Sequence, residues 1–352
     1  MIVSLRLQNY RSYLDDSFEF DPSVNIVVGP NASGKTNLLE AILLSSTGKS
    51  YRASDEELVM HNQPWARIDT HTDTSHRVVK LQRQVPRLQK SFELDSLSLA
   101  RLLPQKQLPV VLFEPNHLLM LHGGPDMRRE YMDGLIERTL PGYAKIRRDY
   151  KRALYQRNAL LKNGNLQQDT MFVWNIRLSE IGGIIIRERV KLIEAASAQI
   201  ADLYGKISGT NSKLQITYKS QCNFDTYSSE LLKRLEQNTA KDAIRGFTSY
   251  GPHRDDMLVS LDEHPAKEVA SRGEVRTIIL ALKVIEMQLL EASAQKKPIL
   301  LLDDVFSELD GARRKHLTDF LEDHQTFITT TDADIVVQQF MKSCNIIPVS
   351  KD

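Results

Sequence analysis

The sequence predicts an α/β fold with a mainly helical domain inserted into it, and three observations support this prediction. Residues 24–28 form a short apolar, β-branched run that leads directly into a glycine-rich loop and a helix-like repeat. Four aliphatic residues at 299–302 end in two aspartates, as in a buried parallel strand. No proline lies between Pro141 and Pro252, and long helices explain that gap because proline breaks helix interiors.

Composition limits the kinds of protein that this chain can be. Its 352 residues can form a sizeable core and two domains. The formal net charge is +1, so a surface that attracts a polyanion must be a local patch. Cys222 and Cys344 are far apart and belong to no metal-ligand cluster, which fits a reducing cytosol. Because no membrane-length apolar run or signal segment is visible, we expect a cytoplasmic protein with no membrane partner.

The first strand is predicted at Met1–Leu7, where apolar residues alternate, and the turn Asn9–Tyr13 follows it. Arg11 in this turn is either a surface arginine or a residue that reaches a bound nucleotide, and the basic loop Gly48–Arg52 has the same two interpretations. Between 67 and 94, strands interrupted by Pro86 indicate a β-rich flank, and Val110–Phe113 predicts a further buried strand.

The loop Gly29–Thr36 satisfies the P-loop pattern of two glycines four residues apart, then lysine and a hydroxyl residue. Its backbone amides and the following helix N-terminus would bind phosphates, Lys35 would reach the outer phosphates, and Thr36 would offer its hydroxyl to Mg²⁺. The predicted nucleotide-binding residues of this segment are Gly29, Asn31, Ser33, Gly34, Lys35, Thr36 and Asn37.

The inserted helical domain is predicted at 125–240, which leaves 1–124 and 241–352 for the nucleotide-binding domain. Within the insertion, apolar residues step by three and four, as an amphipathic helix requires, at Ile193, Ala196, Ile200 and Leu203. A strand is predicted near 213–220 and a helix around 231–235.

A basic segment with interleaved tyrosines lies at the start of the insertion. Lys145, Arg148 and Arg152 fall on one helical face. Together with Lys151 they are the predicted DNA-binding residues, and we call these four residues the basic stripe. The stripe could follow a DNA backbone, or it could be an ordinary solvated helix face.

The polar loop Gly251–Asp256 precedes an apolar strand at 257–261. A metal site formed by His253, Asp255 and Asp256 is one interpretation. A salt-bridged loop is favoured, because three neighbouring ligands on a short turn seldom converge on one ion.

The aliphatic run that ends in Asp303 and Asp304 has the Walker B pattern, which brings carboxylates to the ligand edge of a parallel sheet. Asp303 is predicted to hold Mg²⁺, with Thr36. Asp304 is placed to orient or deprotonate the attacking water, so the predicted catalytic residues are Asp304, Lys35 and Asp303.

About 270 residues separate Lys35 from Asp303, and a Ser-x-Gly at Ser271–Gly273 opens an amphipathic helix just before the Walker B run. A Ser-x-Leu-Asp segment at 307–310 and a strand at 326–329 with a polar end follow it. This order resembles the ATP-binding-cassette ATPases. The resemblance implies a head-type ATPase domain like those of SMC and Rad50 proteins, in which Ser271, Gly273 and Glu274 of one subunit close on ATP held by another.

Within that superfamily the motifs resemble the bacterial RecF family over the whole chain. The segments that carry this resemblance are Asn9–Tyr13, Gly29–Asn37, Gly48–Arg52, Pro125–Asp133, Gln156–Lys162, Gly251–Asp256 and Ser271–Thr277. The resemblance implies an ATP-dependent homodimer that binds gapped, double-stranded and single-stranded DNA at the nucleoid. It also implies work with RecR and RecO to load RecA past single-strand-binding protein, with slow ATP hydrolysis releasing the DNA.

The chain departs from the family pattern at four points. Ala32 replaces a usual glycine and Glu274 a common glutamine. Asp304 stands where many ATP-binding-cassette ATPases carry glutamate, and this shorter carboxylate predicts slow hydrolysis. No histidine stands at the strand end, where only Thr330 and Thr331 could substitute.

Other functions fit the sequence less well. A transporter ATPase subunit would carry a Leu-Ser-Gly-Gly-Gln form and a switch histidine. A chromosome-structuring ATPase would need long coiled coils, and a fused nuclease would need room after Asp332. A passive ATP-binding DNA adaptor, or another SMC-like ATPase subunit, remains the alternative.

Overall fold

The computed structural model describes residues 1–84, 87–163, 167–306, 309–332, 336 and 344–350. The strands are β1 Ile2–Tyr10, β2 Tyr13–Glu19, β3 Val24–Val28, β4 Trp65–Thr72, β5 His76–Arg83, β6 Leu88–Leu94, β7 Leu97–Leu99, β8 Val110–Phe113, β9 Leu214–Lys219, β10 Asp256–Leu261, β11 His264–Pro265, β12 Ile299–Asp303, β13 Thr326–Thr330 and β14 Cys344–Pro348. The helices are α1 Lys35–Thr47, α2 Asp55–Leu58, α3 Leu119–His122, α4 Pro125–Thr139, α5 Tyr143–Lys162, α6 Gln168–Ser208, α7 Tyr227–Gln237, α8 Thr239–Arg245, α9 Ala266–Val269, α10 Arg272–Ala294 and α11 Gly311–Leu321.

The chain divides into two units. The first contains Met1–His117 and Glu286–Asp352, and the second contains Leu118–Ile285. The sequence predicted an insertion at 125–240, so its first boundary lies near the observed one. The second boundary differs because β10 pairs with β9. That pairing joins residues after 240 to the inserted unit.

A five-stranded parallel sheet in the first unit has the order β14-β3-β13-β12-β8. The predicted strands at 24–28, 110–113, 299–302 and 326–329 all belong to it. Strand β13 lies between the P-loop strand β3 and the Walker B strand β12. Because the strands are parallel, their carboxyl ends meet at one edge, where ligands bind in open α/β sheets.

The second sheet of this unit is antiparallel, with the order β2-β1-β4-β5-β6-β7. It contains the predicted β-rich flank, whereas Pro86 lies outside the described residues. Helix α1 contacts strands of both sheets. Its apolar residues Leu38, Leu39 and Ile42 are fully buried in the core shared with both sheets. The P-loop helix is thereby fixed by apolar contacts on two sides.

The second unit is mainly helical. Helix α6, which is 41 residues long, packs against α4, α5, α7 and β9. Its predicted apolar face is confirmed, since Ile193, Ala196, Ile200 and Leu203 are all buried. A three-stranded antiparallel sheet, β11-β10-β9, completes the unit. In the described part of the chain, no helix combines the length and apolar composition that crossing a membrane requires.

Candidate functional site

The P-loop connects β3 to α1 and requires glycine for steric reasons. Gly34 caps α1 with φ 108°, a conformation that L side chains rarely adopt. A Cβ on Gly34 would lie 2.9 Å from Ser12 Oγ, and Tyr13 OH donates to the Gly34 carbonyl at 3.0 Å. The turn after β1 therefore supports the P-loop from outside.

Two further P-loop residues show how the loop is adapted. Ala32 has φ 63°, so alanine occupies a left-handed conformation that favours glycine, at a cost of about 1 kcal/mol. Ser33 is 4% exposed, and its hydroxyl has no hydrogen-bond partner among the described residues. A buried hydroxyl of this kind suits a polar ligand in the loop.

The Lys35 ammonium group folds back onto the P-loop. It donates to the carbonyls of Gly29 at 2.8 Å and Pro30 at 2.9 Å. Burial lowers the pKa of Lys35, and the nearby charges of Asp304 and Asp303 oppose that shift. A phosphate group bound in the loop would compete with these two neutral carbonyls for the hydrogen bonds that Lys35 donates.

Asp303, at the end of β12, joins four parts of the first unit. Its Oδ1 accepts from Thr36 Oγ1 at 2.9 Å and from Thr329 Oγ1 at 2.9 Å. Its Oδ2 accepts from Tyr51 OH at 3.0 Å. Burial raises the pKa of Tyr51, and the Asp303 charge raises it further, so this phenol remains a donor. A carboxylate beside a threonine hydroxyl is the oxygen donor set that Mg²⁺ prefers.

Asp304 follows directly and is exposed, with φ 55°. Its amide donates to Thr329 Oγ1 at 2.9 Å, so one threonine hydroxyl contacts both Walker B residues. At the next position, Thr330 is buried and its hydroxyl is engaged with the backbone of Asp332, while Thr331 is exposed. Ser307 and Glu308 of the Ser-x-Leu-Asp segment lie outside the described residues.

The two basic loops meet at Glu40, a fully buried carboxylate on α1. Arg11 donates to it through Nε at 3.0 Å and through Nη2 at 3.2 Å, and Arg52 Nε lies 3.5 Å away. Arg52 also donates to Asn37 Oδ1 at 2.5 Å, and Ser50 Oγ donates to Glu40 at 2.6 Å. Sequence reasoning identified both arginines but missed Glu40, because a single glutamate in an apolar helix has no distinctive pattern.

The Ser-x-Gly segment forms the start of α10. Ser271 is exposed and accepts from the Glu274 amide at 3.3 Å, while Glu274 Oε2 accepts from the Ser271 amide at 2.7 Å. This reciprocal pair is a capping box, which orients the serine hydroxyl at the helix N-terminus. Gly273 O accepts from Thr277 Oγ1 at 3.0 Å.

Six of the seven basic residues of α5 fall into two groups. All four members of the basic stripe are exposed, and none has an ion pair within the described ranges. Arg147 instead pairs with Glu130, Asp133 and Glu137. Arg157 is fully buried and pairs with Asp242 at 2.8 Å. Arg147 and Arg157 therefore stabilise the fold, whereas the basic stripe is available to a ligand.

The 251–256 loop directs its three candidate metal ligands to different partners. Asp256 accepts twice from Arg128, at 2.7 and 2.9 Å. Asp255 Oδ2 accepts from Tyr218 OH at 3.2 Å, and His253 Nδ1 lies 2.8 Å from Tyr150 OH. Burial raises the pKa of Asp255 to about 6 and lowers that of His253 to about 4. Asp256 thus forms the ion pair expected of a salt-bridged loop, whereas Asp255 and His253 are held by tyrosine hydroxyls.

Comparison with known proteins identifies the family. A family model described as the RecF/RecN/SMC N-terminal domain matches residues 1–351. The chain is 35% identical over 343 residues to the DNA replication and repair protein RecF of Alkaliphilus oremlandii, covering 94% of this chain and 93% of that protein.

Solved structures agree with this assignment. A structure of the recombination mediator protein RecF with ATP in the RecFOR pathway is similar at TM-score 0.83 and 30% identity, covering 94% of this chain and 92% of that one. An SMC head bound to the C-terminal winged-helix domain of ScpA shares the fold at TM-score 0.58 and 16% identity, covering 99% of this chain and 94% of that one. The predicted ABC-type, SMC-head-like fold with its helical arm is confirmed. Because the family model spans almost the whole chain and the relatives match it end to end, the chain belongs to the RecF family of DNA replication and repair proteins.

Proposed function

We propose that this protein is an ATP-dependent DNA-binding protein of recombinational repair. One observation carries the proposal: Thr36 of the P-loop helix and Asp303 of the Walker B strand, 267 residues apart in sequence, are hydrogen-bonded at 2.9 Å. A hydroxyl and a carboxylate brought together at the carboxyl edge of a parallel sheet, beside Lys35, suit Mg²⁺ and the phosphates of ATP.

Each side chain has a distinct role in the proposed hydrolysis. The P-loop amides and Lys35 bind and orient the phosphates. Thr36 and Asp303 would hold Mg²⁺, and the ion would supply positive charge to the phosphate oxygens. Asp304 accepts the proton of the attacking water. Since aspartate is one methylene shorter than glutamate, we expect slow hydrolysis. Glu40 holds Arg11 beside the P-loop helix, where its guanidinium can contribute positive charge to the bound nucleotide.

The second half of the ATP site comes from another copy of the chain. Ser271, Gly273 and Glu274 form a helix N-terminus whose amides and hydroxyl suit an outer phosphate. ATP held by one protomer would therefore contact α10 of its partner, and its binding energy would favour the dimer.

DNA binds the dimer through the basic stripe, whose four cations are exposed. The similar protein of known structure is described as a recombination mediator in the RecFOR pathway. On that basis we propose that this protein binds gapped, double-stranded and single-stranded DNA at the nucleoid, and works with RecR and RecO to load RecA.

Light scattering after gel filtration, with and without ATP and Mg²⁺, tests the proposal. We expect the wild type to pass from monomer to dimer on ATP, and Lys35→Met and Ser271→Arg to stay monomeric. Ser54→Arg is the matched control, because Ser54 is also an exposed helix cap whose partner, Glu57, forms a capping box. A wild type that stays monomeric with ATP and DNA would rule out ATP gating.

Asp304→Asn separates a hydrolysing DNA-binding dimer from a passive ATP-binding adaptor. The variant should bind ATP and DNA but release DNA more slowly, because hydrolysis no longer opens the dimer. If DNA release from this variant is as fast as from the wild type, the passive adaptor is the better description.

A further inference from the structure

Two exposed aromatic side chains lie at the C-terminal end of the basic stripe. Tyr155 on α5 is 71% exposed, and Phe247, after α8, is 40% exposed. Aromatic rings are usually buried because their apolar area is large, so rings left in water beside a row of cations indicate a ligand surface.

Tyr155 shares the face of α5 that carries the stripe. At 100° per residue, it lies within about 80° of all four basic residues around the helix axis. It follows Lys145 by about 15 Å along the axis. A strand whose phosphates contact the stripe would therefore extend over the tyrosine ring.

Phe247 is fixed beside the same end of α5. Asn158 Oδ1 accepts from the Thr248 amide at 2.8 Å and from Thr248 Oγ1 at 2.7 Å. One residue before Phe247, a Cβ on Gly246 would lie 3.4 Å from Lys162 Cγ. The loop that carries the ring is thus packed against the last turns of α5.

Arg254 lies over one face of the Phe247 ring and forms a pair with it. Its guanidinium carbon lies 4.7 Å from the ring centroid, and Nε and Nη2 each lie 3.3 Å from the Thr248 carbonyl. Arg254 is exposed. Aromatic rings and guanidinium planes are the groups on which unpaired bases stack.

The local charge favours a nucleic acid over a protein partner. Asp242 is the one acidic residue of the sequence between 239 and 254, and its buried carboxylate is neutralised by Arg157. The outward cations nearby are Lys162, Lys241, Arg245 and Arg254. An apolar docking site for a protein would not need this excess of positive charge.

We propose that unpaired bases of single-stranded DNA stack on Tyr155 and on the Phe247–Arg254 pair, while the basic stripe binds the adjoining phosphates. This inference rests on the proposed DNA binding of the stripe, and adds to it a way to distinguish single strands from duplex. Bases in a duplex are stacked on each other and cannot reach the rings, so only a single strand gains these contacts.

The test compares the affinity of the ATP-bound full-length protein for a fluorescent single strand and for a duplex of equal length. Tyr155→Ala and Phe247→Ala should each weaken single-strand binding about 10-fold and leave duplex binding within about twofold. Tyr155→Phe and Phe247→Trp should retain binding because they keep the ring. Phe224→Ala is the matched control, since Phe224 is 47% exposed in the same unit but lies on the loop before α7.

A second readout detects stacking directly. A single strand that carries 2-aminopurine should change its fluorescence on binding to the wild type, and that change should be smaller with Phe247→Ala. Equal losses for single strand and duplex, or no loss for either aromatic variant, would overturn the inference. The inference would also be overturned if Tyr155→Ala and Phe247→Ala kept their single-strand affinity but no longer bound a partner protein.

Lys151→Ala and Arg152→Ala distinguish this inference from the proposed function. If they weaken both DNA forms while the aromatic variants weaken neither, DNA binding by the stripe stands and base stacking is wrong. If they weaken neither form, the proposed DNA site itself is wrong.

Discussion

At the scale of single residues, the site could be predicted wherever a side chain belongs to a local pattern. Lys35, Thr36 and Asp303 were identified in this way, and the structure brings Thr36 and Asp303 together. Tyr51 and Thr329 also contact Asp303, but their roles depend on which strands and loops become neighbours. Tyr51 and Asp303 are 252 residues apart, and no local pattern connects them.

Glu274 allows a prediction about the ATP-dependent dimer. Its carboxylate lies beside Ser271, where the outer phosphate of ATP held by the other protomer is proposed to bind. The negative charges of the carboxylate and the phosphate would repel each other. Glu274→Gln keeps the capping interaction and removes the charge. We expect the ATP concentration at half-maximal dimerisation to fall by about threefold. A light-scattering titration measures it, and an unchanged or higher midpoint would contradict the prediction.

Asp255 and His253 should affect stability in opposite directions between pH 4 and 6.5. The folded-state pKa of Asp255 is raised to about 6, so its contribution to stability falls as pH rises through that window. The folded-state pKa of His253 is lowered to about 4, so its contribution is lost as pH falls from 6.5 towards 4. The two effects largely cancel in the wild type.

Single variants separate these two effects. Relative to wild type, Asp255→Asn should gain about 3 kcal/mol as pH rises from 4 to above 6, because it lacks the buried charge. His253→Gln should instead gain about 2 kcal/mol relative to wild type as pH falls through the same range. Urea unfolding at several pH values measures both differences, and parallel pH profiles for all three proteins would contradict the assignment.

At the scale of elements, α5 is anchored by a buried charge. Arg157 donates to Asp242, Asn175, Thr248 and the Leu235 carbonyl. Burial lowers the pKa of Arg157, and Asp242 opposes that shift. A guanidinium group without exposed surface needs all of these acceptors, because an unpaired buried charge is strongly destabilising.

Asp242→Ala should therefore reduce the free energy of unfolding by about 3–5 kcal/mol. Asp202→Ala on α6 is the control: its partner Lys206 and Asp202 itself are both exposed, and we expect a change below about 0.5 kcal/mol. Urea denaturation measures both. Similar small losses in the two variants would mean that the buried pair does not anchor α5.

The sequence predicted the elements well where apolar runs or apolar periodicity were strong. Strands β3, β8, β12 and β13 and the apolar face of α6 were all identified from such patterns. The division of α5 into anchoring and exposed cations could not be predicted, because Arg157 and Arg152 look alike in sequence. Only the partners of Arg157, which lie 18 to 91 residues away, separate them.

At the scale of the whole molecule, the second unit begins at Leu118, near the predicted 125, and extends to Ile285, beyond the predicted 240. The long stretch without proline marks the start of the helical region. Strand β10 has no such signal, and it joins the inserted unit because its hydrogen-bond partner β9 lies there. The predicted division into an ATPase domain of 1–124 and 241–352 and an inserted domain of 125–240 stays a prediction.

The two groups of cations on α5 have a consequence for the thermodynamics of DNA association. The helix carries seven lysine and arginine side chains, of which Arg147 and Arg157 already neutralise carboxylates. Five cations per protomer then remain to displace condensed counterions from a duplex. The logarithm of the α5-dependent binding constant should thus fall with the logarithm of the salt concentration with a slope no steeper than about −4.5 per protomer. If all seven cations contacted phosphates, the slope would be about −6.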